Sequence, residues 1–430
     1  MNRNRKSGLA FALLVLMQSI YFAGQAQQDT ISLRMCYDSS MTNFPLSGQV
    51  RLIKQSYDLK LKNLTSQWLP QVSLNGQVNY NSDVTSIAID LPIPGVEFPK
   101  SPHDQYKISL DINQTLWDGG YKRSAAKLED ITRQADISQI QVDLYGLRER
   151  INKVYFLALV LAGNESLMSL AVGTLEEKIS TAGSAVRNGI LTPVNLQILQ
   201  AEKLKAEQKK FEIQSDRHAA LEILTYLTGL QLFPEVVLET PEIGSFPSLS
   251  EISRPEMGLF DLQMQRLDLA KDVAAVKNKP RLFAFGQAGY GKPGLNMLNT
   301  EWDTYWVIGA GLKWTLWDWH ITQREKQVLG LQKEMVGNQK ESFSVNIAVQ
   351  SASEFSAFNK YSEAVKRDLE LLGLRNEILN TVSSQLDNGI ITSSDYVQEL
   401  NAKLQAEISL QTDRILMLQA RQNLLTIYGK

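Results

Sequence analysis

The sequence is short of the residues from which most reactive centres are built. It holds one cysteine, Cys36, which excludes an internal disulfide framework and a cysteine-rich metal site. Its three histidines, His103, His218 and His320, lie far apart in the chain, and no HExxH, GxSxG or P-loop spacing occurs. An excess of charge of either sign is missing too. The formal net charge is −2 over 430 residues, so there is no global basic field for nucleic acid. After residue 26 no run is expected to reach the ~18–20 apolar residues of a spanning helix. These gaps count against a cofactor enzyme, a nucleic-acid binder and a helical membrane protein.

The first 26 residues read as a signal peptide. Arg3, Arg5 and Lys6 precede an apolar run over 9–22, and Ala23-Gly24-Gln25-Ala26 follows as a small-residue cleavage site. Arg34 and Met35 stand before Cys36, where a lipoprotein needs small or apolar residues, so no lipid is expected there. The mature chain is expected to be exported: periplasmic, secreted or an outer-membrane β-barrel.

Two hydrophobic periods alternate along the mature chain. Val72, Leu74, Val78 and Tyr80 alternate with Gln71, Ser73, Asn75, Gln77 and Asn79, the pattern of a strand with one apolar and one polar face. A loop with four prolines over 81–105 leads to a second such strand. There Tyr106, Ile108, Leu110 and Ile112 oppose Lys107, Ser109, Asp111 and Asn113. After Leu116-Trp117-Asp118-Gly119-Gly120 the period changes, and one very long helix is predicted over about 119–187. Leu144, Leu147, Ile151, Val154, Ala158 and Leu161 form a heptad seam within it. At 1.5 Å per residue such a helix spans ~100 Å, more than a globular core requires. Asn188-Gly189 ends it, and Thr192-Pro193 starts the return helix to 229. Ahead of the first strand, 29–69 is predicted to be mostly helical and divided at Pro45.

The unit then recurs. Pro70, Gly76, Gln77 and Tyr80 return as Pro280, Gly286, Gln287 and Tyr290, an offset of 210. Thr115, Leu116, Trp117 and Asp118 return as Thr315, Leu316, Trp317 and Asp318, an offset of 200, as do Asn188, Gly189, Ile190 and Thr192 as Asn388, Gly389, Ile390 and Thr392. The expected organisation is a signal peptide over 1–26, a first repeat over 27–230, a proline-punctuated connection over 231–254, and a second repeat over 255–430. The first repeat carries strands about 70–80 and 105–117 and helices about 119–187 and 192–229. The second carries strands about 280–290 and 305–317 and helices about 319–387 and 392–428. The fold class is mixed α and β, with internal duplication.

All seven tryptophans, Trp68, Trp117, Trp302, Trp306, Trp314, Trp317 and Trp319, lie in or beside the four strands, as in the aromatic girdles of outer-membrane barrels. A soluble sheet with a Trp-rich core is the alternative, and the polar face of the first hairpin argues against it. The second hairpin is less regular, with Phe283 and Phe285 on its nominal polar face and glycine at 309 and 311. Four strands do not close a barrel, and an open edge is not tolerated in lipid. Eight strands leave an interior filled by side chains, so a trimer with twelve is the smallest assembly with a useful bore.

The segments SLRMCYDSSMTNFP, LPQVSLNGQVNY and LDINQTLWDGG and the two NGI-x-T turns resemble the TolC-type outer-membrane efflux proteins, the outer membrane factor family, over nearly all of the mature chain. The resemblance implies a homotrimer with a 12-stranded β-barrel in outer-membrane lipid. It also implies an α-helical coiled-coil tunnel in the periplasm and an equatorial region near 30–46 and 230–255. It implies the exit channel of a tripartite efflux or type I secretion system, passing small molecules or proteins. A periplasmic adaptor (membrane fusion) protein would join it to an inner-membrane pump of the resistance-nodulation-division (RND), ABC or major-facilitator (MFS) type. No catalysis and no cofactor are implied. The adaptor would meet the helical tips at Asn188, Gly189, Thr192, Asn388, Gly389 and Thr392. The family's inner aperture carries acids six and nine positions after the second tip glycine, here Asp395 and Gln398. The second departs, so one acidic ring is implied; the first-half positions are Asn195 and Ile198. Asp395 also suits a plain helix-N-terminal carboxylate. An alternative function is a structural or adhesive surface coiled coil, which would not need two polar-faced hairpins. An outer-membrane enzyme would need a nucleophile–histidine pairing that the sequence does not offer.

Overall fold

The computed structural model of the chain describes residues 30–87, 99–242, 244 and 251–430. The signal segment, part of the loop after the first strand and part of the 231–254 connection lie outside them. In chain order the elements are β1 (Thr30–Ile31), α1 (Leu33–Asn43), α2 (Gln49–Ser66), β2 (Gln71–Tyr80), β3 (Asp104–Trp117), α3 (Tyr121–Tyr145), α4 (Leu147–Arg187), α5 (Pro193–Thr228), β4 (Val237–Leu238), α6 (Pro255–Val276), β5 (Arg281–Lys292), β6 (Asp303–Lys313), α7 (Ile321–Asp387) and α8 (Ser393–Tyr428). They divide into two compact units. One contains the chain up to Ser47 with Gln141–Pro255 and Ser344–Lys430; the other contains Gly48–Ile140 and Glu256–Phe343.

The second unit holds the sheet, antiparallel throughout in the order β2-β3-β5-β6. Two hairpins from sequence positions 200 residues apart are therefore joined through β3 and β5. Pro70 and Pro280 stop the helices that precede β2 and β5, because proline has no amide to continue the ladder. β6 ends at Lys313, short of the expected 317. Its one partner, β5, begins at Arg281 opposite Lys313, so among the described residues 314–317 have no strand beside them. Ion pairs tie the helices of this unit: Lys333 to Asp268 (2.6 Å), Lys340 to Asp261 (2.6 Å) and Lys60 to Glu129 (3.0 Å).

The first unit is helical. α4 and α5 form an antiparallel hairpin against which α8 packs, and α1 lies on both. Met168, Leu175 and Ala182 on α4 and Leu199, Ala206 and Ile213 on α5 are buried in one cluster with Leu386, Tyr396 and Leu400. Their spacing of seven is a coiled-coil seam. The expected single helix over 119–187 is interrupted once, at Gly146, though its N–H still donates to the Val142 carbonyl (3.0 Å). Glycine is the weakest helix former after proline, which explains the site of the interruption. One window within Tyr121–Arg187 is long and apolar enough to cross a membrane by composition, contrary to the sequence expectation. Ile151, Tyr155, Phe156 and Ala158 in this helix are buried by neighbouring elements, and 33% of the apolar window is buried in the single chain.

A polar network lies at the centre of this unit. Asn152 is 0% exposed. It accepts from the Tyr37 hydroxyl and donates to Asn423 Oδ1 (3.1 Å) and Thr426 Oγ1 (3.2 Å). The Tyr155 hydroxyl reaches the carbonyls of Ile31 (2.8 Å) and Glu239 (2.7 Å), bridging the parallel pair β1 and β4. Burial pushes its pKa up, so it stays a donor.

Candidate functional site

The two faces of the sheet differ sharply. On one, Val72, Leu74, Val78 and Tyr80 stand beside Ile108, Leu110 and Ile112 and, further along, Trp306, Ile308 and Leu312. All are exposed in the single chain, Leu74 by 70% and Ile308 by 78%. An apolar patch of that size on a monomer marks a surface that meets something other than water. On the opposite face Asp111 accepts from Asn75 and from Gln287 Nε2 (2.5 Å), and Lys107 Nζ donates to Gln287 Oε1 (3.2 Å) from above the Tyr305 ring. Three strands thus share one hydrogen-bonded polar cluster.

The irregular second hairpin has a packing explanation. A Cβ at Gly309 would fall 2.6 Å from the Phe285 ring, one at Gly311 2.4 Å from Phe283, and one at Gly289 2.3 Å from Tyr305. The far end of each of these rings on the polar face lies over a glycine of the neighbouring strand. Sequence alone read these as misplaced apolar and absent polar residues; the cross-strand register makes them pairs.

Aromatic residues gather at both ends of the sheet. Trp302 stacks on Tyr290 (5.1 Å) and Tyr106 (5.7 Å) at one end. Trp117, Trp314, Trp317 and Trp319 stand at the other, where strand turns into helix. The repeated aspartate builds that corner. Asp118 accepts from the amides of Gly120 and Lys122, both at 2.8 Å. Asp318 accepts from Asn278 Nδ2 (2.6 Å) and from the Thr322 amide (3.0 Å), and the Asn278 bond first, then those from Thr322, hold its carboxyl well below the usual carboxylate range.

The helical tips form the second region. Gly189 and Gly389 take φ of 75° and 70°, left-handed caps that glycine adopts without penalty. Thr192 and Thr392 are extended N-caps of α5 and α8. Thr392 and Asp395 make a capping box. The Asp395 amide donates to Thr392 Oγ1 (3.3 Å), while Asp395 Oδ2 accepts from the Thr392 amide (3.0 Å) and hydroxyl (2.7 Å). The Thr392 hydroxyl, then its amide, draw the Asp395 pKa down, and its side chain remains exposed, as does Gln398. Asn188 and Asn388 are exposed at the helix ends.

Sequence reasoning missed how the two tips are joined. Asn195, at the repeat position of Asp395, accepts from the Ser393 amide through Oδ1 (2.8 Å) while its Nδ2 donates to Thr192 Oγ1 (3.0 Å). Lys178 pairs with Asp387 (2.8 Å) and lies over the Tyr396 ring. The departure of Asn195 from an acidic residue was the available signal: an amide both accepts and donates, and a carboxylate only accepts.

No protein-family model and no curated protein matches the chain by sequence. Solved structures do. The CmeC outer membrane channel of Campylobacter jejuni matches over 92% of this chain and 85% of its own, with a TM-score of 0.64 at 14% identity. The outer membrane protein VceC of Vibrio cholerae matches over 92% and 96%, with a TM-score of 0.65 at 12% identity. The open-state MtrE outer membrane channel of Neisseria gonorrhoeae matches over 92% and 88%, with a TM-score of 0.64 at 16% identity. The chain has the outer-membrane-channel fold. The resemblance read from the strand and turn motifs holds at the level of fold. Within the outer-membrane-channel fold, the sheet and the helical tips are the two regions where the residues above are concentrated.

Proposed function

We propose that this chain is one protomer of a homotrimeric exit channel of the outer membrane. The carrying observation is the four-stranded sheet with an exposed apolar face, a hydrogen-bonded polar face and two unpaired edges. Three copies give twelve strands and remove every edge, the condition a barrel must meet in lipid. The apolar face then meets lipid, and the cluster of Lys107, Asp111, Asn75 and Gln287 lines the water-filled bore. Each hairpin feeds a long helix through its aspartate-capped corner, so the helices continue the barrel as a periplasmic tunnel. The duplicated unit, with its repeats over 27–230 and 255–430, supplies two hairpins per protomer.

On this reading the tips at Asn188, Gly189, Thr192, Asn388, Gly389 and Thr392 dock a periplasmic adaptor. The adaptor couples the channel to an inner-membrane pump of the RND, ABC or MFS type in an efflux or type I secretion system. Asp395 contributes one carboxylate per protomer to the aperture, with Gln398 beside it, and a ring of three favours cations. The protein is a conduit; it catalyses nothing and needs no cofactor. Light scattering of the detergent-extracted protein tests the assembly: a heat-modifiable trimer is expected. A folded, monodisperse monomer overturns it.

A further inference from the structure

The two open edges of the sheet carry more information than the need for closure. Among the described residues β2 is bonded only to β3, and β6 only to β5. β3 is flanked on both sides as far as Asn113 and, paired from there with β5 alone, runs on to Trp117, 14 residues in all. β6 is its counterpart at an offset of 200, yet it stops at Lys313 and leaves 314–317 outside the strand. The stretch TLW at 115–117 is in β3, and the same three residues at 315–317 are not in β6. Local sequence does not explain that difference. The number of neighbouring strands does.

We propose that β6 of one copy pairs antiparallel with β2 of the next in the register that β3 keeps on β5, and that residues 314–317 join the strand on assembly. This rests on the trimeric-barrel reading above. The repeat offsets, 200 for β3 onto β6 and 210 for β2 onto β5, carry each observed pair to a new one. Ile108 opposite Tyr290 becomes Ile308 opposite the partner subunit's Tyr80. Leu110 opposite Ala288 becomes Ala310 opposite the partner's Val78. Ile112 opposite Gly286 becomes Leu312 opposite the partner's Gly76, and Gln114 opposite Ala284 becomes Trp314 opposite the partner's Leu74.

The face pattern, which did not enter that translation, agrees with it. Ile308 and Leu312 lie on the exposed apolar face, and so do Leu74, Val78 and Tyr80 of β2. Gly309, Gly311 and Lys313 then meet the polar partners Asn79, Gln77 and Asn75. A slip of one residue would turn every β2 apolar side chain into the bore. Slips of two keep the faces, and among those only the repeat selects.

The corner fits the same translation. Gly119 abuts Lys279 and Pro280 of its own chain, where a Cβ would lie 2.7 Å from Lys279 Cβ. The translated contact sets Trp319 beside the partner's Leu69 and Pro70. Trp319 and His320 hold left-handed φ of 53° and 61° where the first corner uses two glycines. Side chains kept at such a conformational cost at an exposed corner are accounted for by a surface they cover.

Disulfide cross-linking of the full chain in its membrane tests the register. Cys36 is fully buried and burial pushes its thiol up to about 12, so it does not compete. The double variant Ala310→Cys with Val78→Cys should give covalent dimers and trimers on oxidation, about tenfold faster than Ala310→Cys with Gly76→Cys or with Tyr80→Cys. Those diagonal neighbours stand ~7–8 Å apart, beyond the ~4.4–6.8 Å that a disulfide spans. Fastest linking through position 76 or 80 overturns the register while leaving the trimer intact. A native-sized trimer in which none of the three pairs links shows that these edges do not meet. A monomeric wild type removes the trimeric reading, and the register with it.

Discussion

Replacing Gly389, with Gly189 as its matched control, probes what the helical tips require. Both end a long helix in the left-handed region, at φ of 70° and 75°. A Cβ there costs about 1–2 kcal/mol, more for a β-branched residue, and asparagine bears it best. The two sites differ in their neighbours. A Cβ at 189 meets nothing within 4 Å, whereas one at 389 lies 3.2 Å from Ile190 Cγ2 and 3.6 Å from the Ile190 carbonyl. That contact needs a shift of a few tenths of an ångström, adding at most ~1 kcal/mol. Gly189→Ala therefore costs about 1–2 kcal/mol and Gly389→Ala up to ~1 kcal/mol more, while Gly389→Asn keeps mainly the contact cost. Destabilisation of this size speeds local opening by about 5–30-fold. Hydrogen exchange should report it at the Ile390 amide, which donates to Gln385 (2.9 Å), and not around Leu400 in the seam. Gly389→Val should loosen the tip most and impair export at equal expression, with the heat-modifiable trimer unchanged. If asparagine and alanine at 389 exchange alike and no faster than alanine at 189, the conformational argument fails. If the tip loosens and export is unchanged, the docking contact is misplaced.

Asp395→Asn should lower cation selectivity in planar bilayers and relieve block by trivalent cations from the periplasmic side. Thr392→Ala, which removes the cap but keeps the charge, should not. Asp111→Asn, whose charge faces Lys107 and two amides in the wider barrel, should matter less, and equal behaviour of all three variants would make Asp395 a capping residue only. Asn152→Ala removes the acceptor of the Tyr37 hydroxyl and the donor to Asn423 Oδ1 and Thr426 Oγ1, and should cost about 2–4 kcal/mol of helical-unit stability in thermal unfolding. Tyr37→Phe removes the bond to Asn152 and the long one from Gln422 (3.4 Å) and should cost about 1–2 kcal/mol. Gly309→Ala should force the Phe285 ring aside and lower the temperature at which the sheet unfolds, and adding Phe285→Ala should relieve that strain; failure of the rescue would refute the ring-on-glycine pairing. The depressed pKa of Asp318 means that its contribution is present above the ordinary aspartate value near 4 and is lost only as pH falls through the lower folded value. Exchange protection of the Thr322 amide should therefore persist below pH 4 in the wild type, and Asp318→Asn should lower it at neutral pH and flatten its acid dependence.

The sequence by itself carried the local signals of the elements and the recurrence of its motifs at fixed offsets. Alternation in β2 and β3, prolines at 70 and 280, and the NG caps at 188 and 388 are local signals, set by backbone sterics and hydrogen bonding within a few residues. The heptad pattern of Leu144, Leu147, Ile151, Val154, Ala158 and Leu161 was legible for the same reason, since a period of seven needs no knowledge of the partner helix, whereas the seam through Met168, Leu175 and Ala182 went unread. Only the tertiary structure decided what depends on neighbours distant in the chain. Phe283 and Phe285 make sense once Gly311 and Gly309 lie beside them, a fact of register between strands. Asn195 became a tie between tips through the Ser393 amide, 198 residues away. β6 ended early for want of a second neighbour, although its residues match those of β3. Helix caps and periods are short-range and survive in the sequence; cross-strand pairs and edge lengths are long-range and arise only when the chain is folded.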